Sequence, residues 1–164
     1  MAIRPAVIRD IPDILRLIKG LADYEKALHE VTATEGALAD SFFCQNPQVY
    51  CHVALEGEEI VGAAIWHLNY STWLGKHGMY LEDLFVLPEY RGAGHGVTML
   101  RHLAQICLDR GYQRFQWWVL DWNQPAIDFY RSFGAVAMDE WTVYRASGDS
   151  LEKMARVTSP TNNP

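Results

Sequence analysis

Leu84-Phe85-Val86-Leu87-Pro88-Glu89-Tyr90-Arg91-Gly92-Ala93-Gly94-His95-Gly96 joins an apolar run to the first turn of an amphipathic helix. Pro88 stops the run, and Gly92, Gly94 and Gly96 leave the following backbone N–H groups uncovered by side chains. Bare amides at the positive end of a helix dipole form a concave anion site suited to a pyrophosphate. The same glycines also suit a tight turn and close helix–sheet packing, so both readings stand at this point. No Gly-Lys-Ser/Thr follows, which excludes a Walker loop. A dinucleotide fingerprint wants glycine at its sixth place, where this chain has Val97, and it directly follows its strand, where this chain interposes Pro88 to Arg91.

The neighbouring sequence sets this loop in a mixed α/β domain. Behind the loop, apolar residues at Leu100, Leu103, Ala104, Cys107 and Leu108 predict a helix ended by Gly111. Ahead of it, Met79 to Leu87 reads as a strand, and Tyr70 to Gly78 as a turn-rich stretch. Val49 to Leu55 and Glu59 to Asn69 read as a hairpin turned at Glu56-Gly57-Glu58. Ile3 to Ile8 predicts a first strand. Asp10 offers an N-cap to a helix reaching about Ala22, and Thr34, or Thr32 with Glu35, caps a second helix ending near Phe43. Toward the C-terminus, Phe115 to Leu120 reads as an aromatic strand. Asn123 caps a helix running from Pro125 to Gly134, Trp141 to Ala146 closes the sheet, and Asp149 to Ala155 forms a short helix. Residues 1–156 are expected to form a single domain, with 157–164 as a flexible tail.

A chain of 164 residues has the length of one ordinary domain. With 49% hydrophobic and 21% charged residues, it has material for a core and too little charge for disorder. Fourteen Lys and Arg against twenty Asp and Glu give a net charge of −6. That balance argues against nucleic acid as a partner and suits a cationic one. Cys44, Cys51 and Cys107 are an odd number at no metal-ligand or disulfide spacing, so no metal is expected. No signal segment and no run of about 20 apolar residues predict a cytoplasmic protein that does not enter the membrane.

Arg91, Gly94 and Gly96, as Arg-x-x-Gly-x-Gly between a strand and a helix, resemble the coenzyme A loop of the GNAT acetyltransferases. Tyr24-Glu25, Tyr70-Ser71-Thr72-Trp73, Tyr80-Leu81-Glu82-Asp83, Val119-Leu120-Asp121-Trp122-Asn123-Gln124 and Phe129-Tyr130 look like the diamine acetyltransferases, the spermidine/spermine enzymes and their thialysine-acetylating relatives. The likeness spans Ile3 to about Ala155, and Ser71-Thr72 with Leu120-Asp121-Trp122-Asn123-Gln124 leans to the thialysine branch. It implies a GNAT fold, a mixed and mostly antiparallel sheet flanked by helices. It also implies direct transfer of an acetyl group from acetyl-CoA to a primary amine of a small cationic acceptor, and a homodimer. By resemblance, coenzyme A is held by Leu84, Phe85 and Val86, by Arg91, Gly92, Ala93, Gly94, His95, Gly96 and Val97, and by Asn123, Pro125, Ala126 and Tyr130. The acceptor pocket takes Tyr24, Glu25, Trp73, Glu82, Gln116, Trp117 and Trp118.

The chemistry assigns tasks to these positions. An alkyl amine near pKa ~10.4 is protonated at neutral pH and cannot attack, so a base must take its proton. Glu82 is the candidate for that base and for substrate contact, directly or through one water. On a regular strand Glu82 and Asp83 point to opposite faces, which leaves Asp83 to pair with a basic residue. Tyr130 is the candidate acid, because a phenol near ~10 can protonate a thiolate near ~8.5. The ring of Tyr24 or Trp73 offers a cation–π face to an ammonium. One of Trp117 and Trp118 is expected in the core. Ser71 stands where the polyamine enzymes carry an acidic residue, which favours a smaller diamine or a thialysine-like amino acid over a long polyamine. The alternatives are a protein N-terminus or an aminoglycoside as acceptor, or a coenzyme A-binding sensor without turnover.

Overall fold

Residues 49–86 make two long antiparallel hairpins, and the rest of the sheet is built on them. The structure, a computed structural model, describes residues 1–156, and the tail expected over 157–164 lies outside the described residues. Strand β1 (Ala2–Pro5) lies antiparallel to β2 (Val49–Glu56), β2 to β3 (Glu59–Ser71), and β3 to β4 (Lys76–Val86). Strand β5 (Phe115–Gln116) adds in parallel to β4, giving the order β1-β2-β3-β4-β5. This is the expected mixed, mostly antiparallel sheet.

Helices cover both faces. Ile11, Ile14 and Leu17 of α1 (Ile11–Tyr24) and Phe42 of α2 (Glu35–Phe42) join Val53, Ala63, Ile65 and Phe85 in one core. Full burial of a side chain such as Ile14 or Leu17 is worth about 1.5–3 kcal/mol. The opposite face receives α3 (His95–Asp109), whose Met99 lies against Gly62 and whose Cys107 touches Met79 at 3.8 Å. Strand β3 alternates cleanly between these faces, with Gly62 toward α3 and Ala63 and Ile65 toward α1.

Two units divide the chain, Met1–Trp118 and a second beginning at Val119. The second holds α4 (Gln124–Arg131) and α5 (Asp149–Ala155), the latter at its expected bounds. Asn123 caps α4, its side chain accepting from the Ala126 amide at 3.4 Å. Thr34 likewise caps α2, accepting from the Ala37 amide at 3.2 Å.

Several expectations need correction. Asp10 does not cap α1 with its side chain: its carboxylate takes both guanidinium arms of Arg4, at 2.6 and 3.0 Å, and the Val7 amide at 2.8 Å. A bidentate charge-assisted pair outcompetes a single cap bond, and Arg4 holds this carboxyl below the usual range. The turn-rich stretch from Tyr70 to Gly78 turns only over residues 72–75, since β3 and β4 take up its ends to Ser71 and from Lys76. Gly78 sits within β4 because β5 enters there: a Cβ on it would lie 2.8 Å from the Arg114 carbonyl oxygen, which accepts from the Met79 amide. The aromatic strand from Phe115 shrinks to two residues, and Trp141 to Ala146 forms no strand.

Candidate active site

Strand β4 carries a break in its register. Ile65 pairs with Asp83 and Trp66 with Leu81, which leaves Glu82 without a partner on β3. One extra residue in a strand reverses its alternation beyond that point. Met79, before the bulge, faces α3, and Phe85, after it, faces α1, although an even separation would put both on one side. Asp83, two residues before Phe85, therefore points to the α1 face. Glu82 points there too, since its carboxylate lies 3.5 Å from His67, which shares the face of Ile65. The expectation that Glu82 and Asp83 occupy opposite faces is thus overturned. The register shift brings both carboxylates to one side of the sheet.

A third carboxylate joins them. Glu25 follows α1, and its carboxyl is raised by burial. Asp83 is half-buried and pushed up to about 6, first by burial and then by the charges of Glu82 and Glu25. No ion pair joins Asp83 to a basic side chain among the described residues, so the pairing expected for it is not formed. Sequence reasoning gave Asp83 only a structural pairing and did not single out His67. A signal existed in the apolar spacing Met79, Leu81, then Leu84, Val86, where a step of three interrupts the steps of two.

Beyond Tyr80, β4 has β3 on one side and no strand on the other among the described residues. The Leu87 amide donates to Val61 at 2.9 Å, which fixes the hydrogen-bonding parity of the pair. By that parity Phe85 turns its backbone groups to Ala63, while Leu84 and Val86 turn theirs to the open edge. Of the three residues expected to offer backbone groups, Leu84 turns both to that edge and Val86 keeps its amide for it. The Val86 carbonyl already accepts from Arg91 Nε at 3.0 Å.

That bond redirects Arg91. Its guanidinium lies 5.0 Å from the centre of the Tyr24 ring and 5.2 Å from that of Phe85, so it bridges α1 and β4. One face of the Tyr24 ring, expected to meet a substrate ammonium, is thus taken by this cation. Trp73 is 91% exposed at the β3–β4 turn, roughly 20 Å along the strands from Glu82. The structure does not bring it to the carboxylates. Gln116 accepts from Asn69 Nδ2 at 2.9 Å. Trp117 is half-buried against Phe115, and Trp118 is 58% exposed, edge-on to Tyr80, so neither is fully in the core.

The glycine loop follows. Gly92 and Gly94 have φ of +81° and +87°, and a Cβ on either would meet open space. Gly94 is the N-cap of α3 and supplies no side-chain acceptor, so the first amides of a 15-residue helix are left uncapped. Helix α4 of the second unit carries Pro125 and Ala126 in its first turn and a half-buried Tyr130 near its end.

Residues 18–135 match the Acetyltransferase (GNAT) family. The chain belongs to this family. The thialysine N-epsilon-acetyltransferase of Sus scrofa is 38% identical, over 93% of this chain and 96% of that protein. A spermidine/spermine N(1)-acetyltransferase-like protein of Homo sapiens is 36% identical over 93% of this chain and 23% of its own length. Among solved structures, an integron cassette protein of V. cholerae superposes with a TM-score of 0.79 at 28% identity, over 94% of this chain and 97% of that one. The protein is a GNAT acyltransferase, and GNAT acetyltransferases take their acetyl group from acetyl-CoA. Its residues fit that donor. The uncapped amides and open glycines at α3 suit a diphosphate, and the free edge at Leu84 and Val86 suits a chain of amides. No helix among the described residues is long and apolar enough to cross a membrane.

Proposed function

We propose that this enzyme acetylates the terminal amine of a small cationic acceptor, a thialysine-like amino acid or a diamine in preference to a long polyamine, by direct transfer. The observation that carries this reading is the convergence of Glu25, Glu82 and Asp83 beside the open edge of β4. Such a cluster attracts an ammonium group and disfavours anionic acceptors. The name of the pig relative supports a thialysine-like acceptor, while that of the human relative carries polyamines, and both are small cationic amines.

Acetyl-CoA supplies the acetyl group as a reactive thioester. Gly92, Ala93, Gly94, His95, Gly96 and Val97 would hold its diphosphate through backbone amides, and the family resemblance alone assigns Asn123, Pro125 and Ala126 to the same cofactor. Glu82 takes the proton of the bound ammonium, directly or through one water. Asp83 and Glu25 supply negative field. An outward N–H of Leu84 or Val86 would donate to the acetyl oxygen, and by the family resemblance Tyr130 Oη would supply the proton to the leaving sulfur. None of the cysteines lies in these segments, so no acyl-cysteine step is needed.

Initial rates with thialysine, lysine, putrescine, spermidine and a peptide, at matched concentrations, test the assignment. Thialysine or the diamine is expected to give the highest kcat/KM. Turnover of the peptide alone would overturn the acceptor class.

We also propose a cytoplasmic homodimer. In the second unit Val136, Met138, Trp141 and Tyr144 are 81%, 60%, 68% and 93% exposed, an apolar stretch that a second copy would cover. Sedimentation equilibrium should return twice the chain mass, and a single-chain mass at micromolar concentration would refute the dimer.

A further inference from the structure

His95 opens α3, yet its side chain turns away from the helix end. It is 2% exposed, with Nε2 lying 3.5 Å from Glu56 Oε2, at the last residue of β2. Tyr90, just before the loop, stands edge-on to the same imidazole, the ring centres 6.2 Å apart. The Tyr90 hydroxyl donates to Glu59 Oε2 at 2.7 Å, at the first residue of β3. The glycine loop is therefore tied at both ends to one β-turn, through Tyr90–Glu59 before it and His95–Glu56 after it.

Buried His95 Nδ1 has no hydrogen-bond partner. An unsatisfied buried nitrogen costs about 1–3 kcal/mol, so a residue present only to fill space would do better as an aliphatic one. The other nitrogen accounts for the histidine. Nε2 is the nitrogen that meets a partner, 3.5 Å from Glu56 Oε2. Between the two ties, Gly92 and Gly94 have no Cβ to restrict them, and a loop of that kind loses much freedom when it closes on a ligand. Ties that order the loop beforehand remove that cost from binding.

We propose that the His95 side chain is a positioning residue for the cofactor: through Glu56 it locks the diphosphate loop to the β2–β3 turn, and Tyr90 is its companion tie. This rests on acetyl-CoA as donor. It adds a side-chain role to a residue whose backbone amide alone would meet the diphosphate.

The test uses two donors, acetyl-CoA and S-acetylpantetheine, which carries the same thioester without the diphosphate. His95→Leu keeps the volume and removes the tie. It should raise KM for acetyl-CoA about tenfold, leave KM for S-acetylpantetheine within about twofold, and leave the amine KM unmoved. His95→Gln, which keeps a donor for Glu56, should recover most of the affinity. Tyr90→Phe, at a site that does not threaten folding, should raise KM for acetyl-CoA about threefold and serves if His95→Leu does not fold. Equal changes with both donors would overturn the proposal, because a general packing defect moves both. So would an unchanged KM for acetyl-CoA in His95→Leu or, if that variant does not fold, in Tyr90→Phe. Calorimetry of coenzyme A on the unaltered protein tests the donor reading separately.

Discussion

Tyr130→Phe should lower kcat by about 100-fold while coenzyme A affinity stays within about twofold. The variant removes one oxygen and keeps the ring. The Tyr130 ring lies 5.4 Å from that of Phe129, which in turn meets Phe133 at 5.3 Å, so Phe retains this aromatic packing. Helix register is set by Asn123, whose side chain accepts from the Ala126 amide. Seven residues on, Tyr130 comes two turns along the same side. A phenol near ~10 faces a leaving thiolate near ~8.5, so the proton transfer runs against only a small mismatch. Without it the thiolate must leave unprotonated or recruit water. The loss should appear in kcat with either donor and any accepted amine. Unchanged turnover would remove Tyr130 from the mechanism and return it to packing.

How much of this was legible in the sequence depends on what each feature answers to. Thr34 and Asn123 announce their helices because a cap is a local bond, closed within three residues. The glycine loop is local in the same way, and its φ values are those the glycines allow. Features set by a partner element were harder. Asp10 is a good cap residue, but whether Arg4 would claim its carboxylate depends on how β1 lies beside the turn. Arg91 follows the family pattern, yet its charge goes to the Val86 carbonyl and two rings once the loop folds back. Tyr70 to Gly78 has turn residues throughout, but cross-strand bonds extend both strands regardless. The bulge at Glu82 is the most consequential case. Alternation alone separates Glu82 from Asp83, and only the pairing of β3 with β4 unites them.

That union gives the second large effect. Glu82→Gln should lower kcat/KM for the amine by about 100-fold, with acetyl-CoA binding retained, because the ammonium loses the group that takes its proton. Asp83→Asn should act differently. A unit charge near a bound ammonium contributes about 1–2 kcal/mol in a partly solvated cleft, so the amine KM should rise about tenfold. This contribution depends on pH. Asp83 titrates at about 6, so lowering the pH through that value neutralises it. Amine KM in the unaltered enzyme should therefore climb below about pH 6, and that climb should vanish in Asp83→Asn. Stability should move the opposite way. A carboxyl raised in the folded state binds its proton more tightly there than in the unfolded chain. Its favourable contribution is present at low pH and lost as pH rises through about 6. At pH 8 the ionised Asp83 is a burden on the fold, so Asp83→Asn should raise Tm there by about 3–6 °C and change it little at about pH 3, below the ordinary carboxylate value. A variant that is more stable and binds its amine less well is what a charge held for function predicts. If Asp83→Asn instead lowered Tm at pH 8, the carboxylate would be supporting the fold, and the negative cluster would lose its claim to the acceptor.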